Sequence, residues 1–447
     1  MRVTIKRGYD LPIEGAPVQS ITAAPAINSV ALSGLDYPGL RPAFEAAVGD
    51  RVRTGQTLFT DRKNKALQFT SPGCGWVSAI HTGTGNRLQS IVIRLGTEEP
   101  WTFDTIPATA LASAASDTIR NMLLASGLWT GIRQRPFNRV ADPDVEPAAV
   151  FISVMDSNPL AADPEVVIQE LAEDFYHGLL AISRLAAVPL YICTASDSTL
   201  DPARFPEKAT AVSFAGPHPA GLAGTHIHHL APVTTNRPAW TIGFQDLIAI
   251  GRLLTSGRIM TDRVIAVAGP GVRNPGLLRS RIGANIPELL AGQLQQQSNQ
   301  SWRVISGSIL SGREIQEQQQ HLGRYHQQIS VIPEAGVAHP RTVKPSVIHN
   351  QFRPILNNRK PRTITTARPT VTSGMLPVEA FDQVWALESP VAPLLRALLV
   401  GDIDSAIALG CLDLAEADLA LCSYLCPGNQ DYGTALREVL GEIERQG

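Results

Sequence analysis

Between Ser126 and Phe137 the chain reads SGLWTGIRQRPF, which places two aromatic rings and two guanidinium groups within nine residues. Trp129 and Phe137 offer flat apolar faces, and Arg133 and Arg135 offer fixed cationic donors. Such a set suits a flat conjugated ring bearing carbonyl oxygens, a quinone for instance. The segment follows a predicted helix, at the position where a nucleotide-binding layout carries a glycine-rich loop. Cradling a phosphate needs backbone N–H groups to converge on the anion with no side chain between. Only Gly127 and Gly131 remain here, and Trp129, Ile132 and Arg133 crowd the rest. The expectation is a site that takes neither flavin nor dinucleotide. The alternative is an interface loop whose tryptophan packs in the core.

Three further groups could do chemistry. His218, His226, His228 and His229 crowd GPHPAGLAGTHIHH, but no cysteine or carboxylate lies nearby in sequence to complete a zinc set. His226 and His228 read as alternate residues of a strand sharing one face, and metal is not expected. Cys411, Cys422 and Cys426 are three thiols where a tetranuclear iron–sulfur cluster needs four at short spacing. Lys65-Ala66 falls where a lipoyl-bearing lysine would sit, but Asn64 replaces the usual acid and no flexible linker frees the unit to swing.

Several elements must position these residues. VGDRVRTGQTLF followed by SPGCGWVSAI has the grammar of a lipoyl-type barrel, with Gly49, Gly55, Gly73 and Gly75 at tight turns between strands carrying Val48, Val52 and Leu58. Ala110 to Ser126 reads as an amphipathic helix. Residues 148–156, 188–195 and 209–216 read as buried strands, and Pro164 to Leu185 as one long helix capped by Asp163. With a helix near Phe244 to Leu254 they make a Rossmann-like layer. From Arg263 onward, a strand, a Gly-Pro-Gly turn, a second strand, a short helix and a later strand in 302–312 suggest a β-grasp unit. Val384 to Glu444 has the three-and-four spacing of a helical bundle. The predicted organisation is an α/β and α+β multidomain chain: a barrel-sandwich hybrid (1–100), a Rossmann-like domain (101–258), a β-grasp domain (259–335), a basic segment (336–378) and a C-terminal helical domain (379–447).

Composition fits a water-soluble protein: 44% hydrophobic, 17% charged, net charge −2, with no apolar run long enough for a bilayer span. The start MRVTIKRGYDLP lacks the apolar core of a secretory signal, and five cysteines suit a reducing compartment. Nothing points to nucleic acid. The charge is uneven. Residues 335–378 contain no acid but seven basic residues, among them Arg359, Lys360 and Arg362, which read as a docking surface for acidic partners or anionic headgroups, or as a solvated loop.

GYDLPIEGAP (8–17), SVALSGLDYPGLRP (29–42), SGLWTGIRQRPF, MDSNPLAADP (155–164), GPHPAGLAGTH (216–226), LGRYHQQISV (322–331) and DLALCSYLCPGNQDYG (418–433) occur in one order. In this the chain resembles the NqrA subunits of sodium-translocating NADH:quinone reductases over nearly its full length. The layout also resembles the NADH-binding subunit of respiratory complex I, without that scaffold's glycine-rich flavin loop and cysteine cluster. The resemblance implies a peripheral subunit on the cytoplasmic face of the cell membrane, docked on integral membrane subunits of a complex that couples NADH oxidation to Na⁺ export. It implies no redox cofactor on this chain; FAD, FMN, riboflavin and 2Fe-2S would belong to partner subunits. Ubiquinone is the one ligand expected, with Tyr37, Arg41, Trp129, Arg133, Arg135 and Phe137 as candidate head-group contacts. A purely structural adaptor, or a lipoyl carrier at Lys65, are the competing readings.

Overall fold

The computed structural model describes residues 1–296, 301–334, 361, 363, 364, 366 and 379–446. Arg359, Lys360 and Arg362 lie outside the described residues, as does most of the acid-free stretch. The barrel closes from two sheets. One joins Ser29–Ser33, Leu88–Leu95, Gly75–Thr82 and Arg51–Val52; the other joins Pro42–Phe44, Thr57–Asp61 and Gln68–Thr70. Val30, Leu32, Val52, Leu58, Ile91 and Ile93 fill the space between, with Phe59 stacked on Phe69 at 4.7 Å. Gly49 and Gly55 take positive φ of 96° and 89°, as the turns demanded. Val48 was expected in the core but is 61% exposed, because Asp50 accepts from the Ala47 N–H and turns the chain outward before the strand begins.

The first 23 residues serve other layers. Arg2–Thr4 adds a parallel edge strand beside Ala209–Ala215, and Val18–Ala23 pairs with Gly276–Arg281. The α/β unit is a seven-stranded sheet in the order Arg2–Thr4, Ala209–Ala215, Leu190–Ala195, Ala149–Val154, Ala239–Gly243, Ile132–Arg135, Arg139–Val140. Its first five strands run parallel, and the Arg133-bearing strand joins antiparallel to Ala239–Gly243. Ala149–Val154 is almost wholly buried, which explains its unbroken apolar run.

The helices depart from expectation in detail. Ala108–Ser113 is a 3₁₀ turn, and the α-helix proper is Ser116–Ser126. Asp163 caps as predicted, accepting from the Glu165 N–H, but the helix pauses at Leu171 and resumes as Ala172–Leu185. The β-grasp sheet contains Asp262–Ala268, Gly276–Arg281, Trp302–Ser306 and Gln328–Pro333, with Ile286–Leu289 as its short helix. The C-terminal helices Glu379–Val384, Val391–Val400, Ile403–Ala408, Ala420–Leu425 and Tyr432–Gln446 pack around Phe381, Leu394, Leu414 and Tyr432.

The α/β unit's firmest helix contact is made by glycines. Ala172–Leu185 and Phe244–Ser256 approach so closely that a Cβ on Gly251 would lie 1.9 Å from the Asp174 carbonyl oxygen, and one on Gly178 2.2 Å from that of Leu247. Backbone on both sides leaves no flexible neighbour to yield. Gly251→Ala should therefore cost about 1–3 kcal/mol through overpacking. Thermal unfolding followed by circular dichroism would show it, and an unchanged midpoint would rule out so tight an approach.

Candidate functional site

The loop SGLWTGIRQRPF is positioned at both ends. Gly127 ends the Ser116–Ser126 helix in a left-handed cap, φ 76°. A Cβ on Gly131 would come within 3.0 Å of the Asp246 side chain. Gly127 thus serves a helix cap and Gly131 a close approach. Trp129 between them is 1% exposed, edge-on to Trp240 at 5.4 Å, with its Nε1–H donated to the Ala141 carbonyl at 2.8 Å. Its ring is part of the core.

The six candidate residues separate into groups. Tyr37, from the barrel, and Arg133, from the α/β sheet, converge on Tyr325 of the β-grasp unit. The Tyr37 and Tyr325 rings meet edge-on at 6.1 Å, and the Arg133 guanidinium lies 4.1 Å from the centre of the Tyr325 ring. Tyr325 donates its hydroxyl to the Thr130 carbonyl at 2.8 Å. Burial raises the Tyr37 phenol well above its ordinary titration range and raises that of Tyr325 as well, so both stay neutral. Beside them runs an ion lattice. Asp246 accepts from Arg263 at 2.6 Å and Arg324 at 2.8 Å, and Asp36 accepts from the Arg324 backbone N–H at 2.8 Å and from Arg313. Burial alone would raise Asp246, but the two arginines hold it below the usual carboxylate range. Tyr37 and Arg324 line a cavity of about 30 Å³ where the three units meet. Arg324, Tyr325 and Asp246 were missed in the sequence. LGRYHQQISV offered an Arg-Tyr pair, but only the fold sets it against Tyr37.

Arg135 and Phe137 face elsewhere, toward the C-terminal helices. Phe137 and Asn138 both take positive φ, 79° and 48°, a conformation that non-glycine residues hold only when bonded in place. Arg133 donates to the Asn138 carbonyl, Arg135 to the Asn138 amide oxygen, and Arg437 to the Phe137 carbonyl at 2.6 Å. Arg437 also pairs with Glu416. Burial draws Arg135 down to about 10, and burial lifts Asp418 beside it to about 6. Arg41 is exposed on the barrel and touches neither group.

The histidines do not form a strand. Ala223–Leu230 is a helix, and positions two apart on a helix point to different sides, so His226 and His228 share no face. His228 instead bonds Asp413 at 3.0 Å. His218 lies 3.1 Å from the Ser157 hydroxyl, which also accepts from the Gly221 N–H at 2.8 Å; His226 meets the Ala220 carbonyl at 2.9 Å. These contacts lock the turn 216–222 onto the residues after Ala149–Val154. Ala149–Val154 borders the point where the strand order of the sheet reverses.

Cys411, Cys422 and Cys426 are buried among the C-terminal helices, with the Cys426 sulfur 3.3 Å from the Tyr432 hydroxyl. Burial lifts Cys411 and Cys422 to about 12, which keeps both thiols protonated. Lys65 is exposed at the tip of the hairpin between Thr57–Asp61 and Gln68–Thr70, where the Asn64 amide donates to Asp142 at 3.3 Å. The tip is tethered to the α/β unit.

Three family descriptions match the chain in order: "NqrA N-terminal barrel-sandwich hybrid domain" over residues 3–96, "NqrA second alpha/beta domain" over 114–259 and "NQRA C-terminal domain" over 264–317. Among curated relatives, the NqrA chain of the Na(+)-translocating NADH-quinone reductase of Pseudomonas aeruginosa (strain UCBPP-PA14) is 47% identical, covering 100% of both chains. That of Neisseria gonorrhoeae (strain NCCP11945) is 45% identical with the same coverage. A solved NAD⁺-reducing [NiFe]-hydrogenase, air-oxidized, overlaps 76% of this chain and 64% of its own at TM-score 0.40 and 14% identity.

The locked turn 216–222 has a pH signature. Burial draws His218 and His226 down to about 4 from an ordinary 6.5. The folded state thus favours the neutral ring, so stability is full above the unfolded value and falls as pH drops from 6.5 toward 4. Each ring removes up to about 1.4 kcal/mol per pH unit in that window. His226→Gln keeps a donor for the Ala220 carbonyl but cannot titrate. Its melting midpoint should fall less between pH 7 and pH 5 than that of the native chain, and equal falls would count against a buried neutral His226.

Proposed function

The chain belongs to the NqrA family of the Na(+)-translocating NADH-quinone reductases, and we propose that it serves the ubiquinone-reducing end of that complex as a peripheral subunit without a redox group of its own. The observation that carries this reading is the meeting of Tyr37 and Arg133, 96 positions apart in sequence, around Tyr325 and Arg324. The neutral phenol of Tyr37 and guanidinium groups are the donors that a ring carbonyl, or the anionic oxygen of a reduced ring, would take, the Tyr325 hydroxyl being given to Thr130. No helix among the described residues is long and apolar enough to cross a membrane. A quinone tail must stay in lipid, so this chain would meet the head group alone, with the membrane partners holding the tail. Sodium movement would likewise belong to those partners, and the cytoplasmic face is where such a chain would dock.

Trp129 contributes by fixing the loop from the core, and Arg135 and Phe137 by anchoring it to the C-terminal helices. That second task also favours an adaptor role, in which the chain holds the complex together. The lipoyl reading loses support from the tethered Lys65 hairpin.

Purified alone, the chain should be colourless and should bind ubiquinone-1, followed by isothermal titration. Arg133→Ala should weaken that binding about tenfold, the value of one charge-assisted hydrogen bond. Stoichiometric flavin or iron would overturn the reading of a subunit without a redox group. An unchanged titration would remove Arg133 from the site.

The acid-free segment is proposed as the docking element. Replacing Arg359, Lys360 and Arg362 together by Gln should release the chain from the purified complex at moderate salt, as judged by its retention on a size-exclusion column. A complex that stays intact would assign docking to another surface.

A further inference from the structure

The joint where Tyr37 meets Tyr325 leaves a buried guanidinium nitrogen without an acceptor among the described residues. Its charges are Arg263, Arg313 and Arg324 against Asp36 and Asp246, with Asp262 also acting on Arg263. His326 beside them adds none, since burial draws it down to about 4. Arg324 is 8% exposed, and its Nη1 is buried with no hydrogen-bond partner among the described residues. A buried guanidinium N–H without an acceptor is costly, so such a group in a native fold calls for an acceptor, a water or a ligand oxygen. Arg324 is also the charged residue lining the cavity at the joint, together with Tyr37, Phe69, Leu128 and Thr130. Its other Nη is fixed by Asp246, so the guanidinium plane is held in place.

Building on the quinone reading above, we propose that Arg324 is a further head-group-binding residue, donating from Nη1 to a ring oxygen within the joint, and that Asp246 is its positioning residue. The cavity of about 30 Å³ matches the volume of a single water, so a ring enters only as the walls part. Those walls come from three units: Leu32 and Tyr37 of the barrel, Leu128 of the α/β unit, and Ile259, Ile282 and Arg324 from the β-grasp side. Ring entry is therefore a separation of packed units rather than a side-chain rotation. The free Nη1 hydrogen of Arg324 suits a ligand oxygen that bears or gains negative charge.

The test titrates the full chain with ubiquinone-1 by isothermal calorimetry, with thermal melts confirming the fold of each variant. Arg324→Gln should weaken binding about 10- to 100-fold, the range for a hydrogen bond to a charged group. Arg324→Lys keeps the charge but loses the fork, and should recover part of that loss. Asp246→Asn frees the guanidinium and should weaken binding about fivefold, with Asp246→Glu restoring it. If Arg324→Gln does not fold, the Arg324→Lys and Asp246 pair decides. Variants that fold and bind like the native chain overturn the assignment of Arg324. A native chain that binds no ubiquinone-1 overturns the underlying quinone reading instead, so the two failures are distinct.

Discussion

The barrel, the α/β unit and the β-grasp unit are joined around a largely buried carboxylate, Asp246. It sits in the first turn of the helix Phe244–Ser256, accepts from Arg263 on the first β-grasp strand and from Arg324 ahead of the last one. The Arg324 backbone then donates to Asp36 of the barrel, at the end of the short turn that presents Tyr37. Breaking such a pair by removing one partner is strongly destabilising, because the remaining charge stays buried and uncompensated. Directional ion pairs hold an interface in one register where an apolar seam would slide. They also leave polar hydrogens that apolar residues would not, and one of these, on Arg324, is still unpaired.

How far the sequence revealed this arrangement follows from what each signal measures. Alternation and glycine spacing are local, so the barrel, the parallel strands and the C-terminal helices could be read directly. The histidine segment could not. Apolar and polar residues alternate in THIHHL, but the turn before it hands the chain to a helix, and local alternation carries no trace of that packing. The N-terminal strands were assigned to the barrel for a similar reason. Arg2–Thr4 and Val18–Ala23 are strand-like in themselves, and only the pairing with partners some 210 and 255 residues away gives them other sheets. Tyr37 and Arg133 were chosen as types that suit a quinone; their shared neighbour Tyr325 is a tertiary fact.

The α/β unit keeps its strand order and parallel pairing through core residues such as Phe151 and Ile192. The loops after Ala149–Val154 and Ala209–Ala215 are bonded together: the Ser157 hydroxyl meets His218 and accepts from the Gly221 N–H, and Asp10 accepts from the His218 N–H. A Cβ on Gly221 would lie 2.6 Å from the Ser157 nitrogen, so the two loops touch through backbone. On the far side of the sheet, Ile132–Arg135 runs antiparallel and carries Arg133 into the joint with the other units. The barrel, the α/β unit and the β-grasp unit thus meet at one seam, around Tyr37, Arg133 and Tyr325. The quinone site proposed above lies at this seam, so its occupancy would depend on how firmly the Asp246 lattice holds the units.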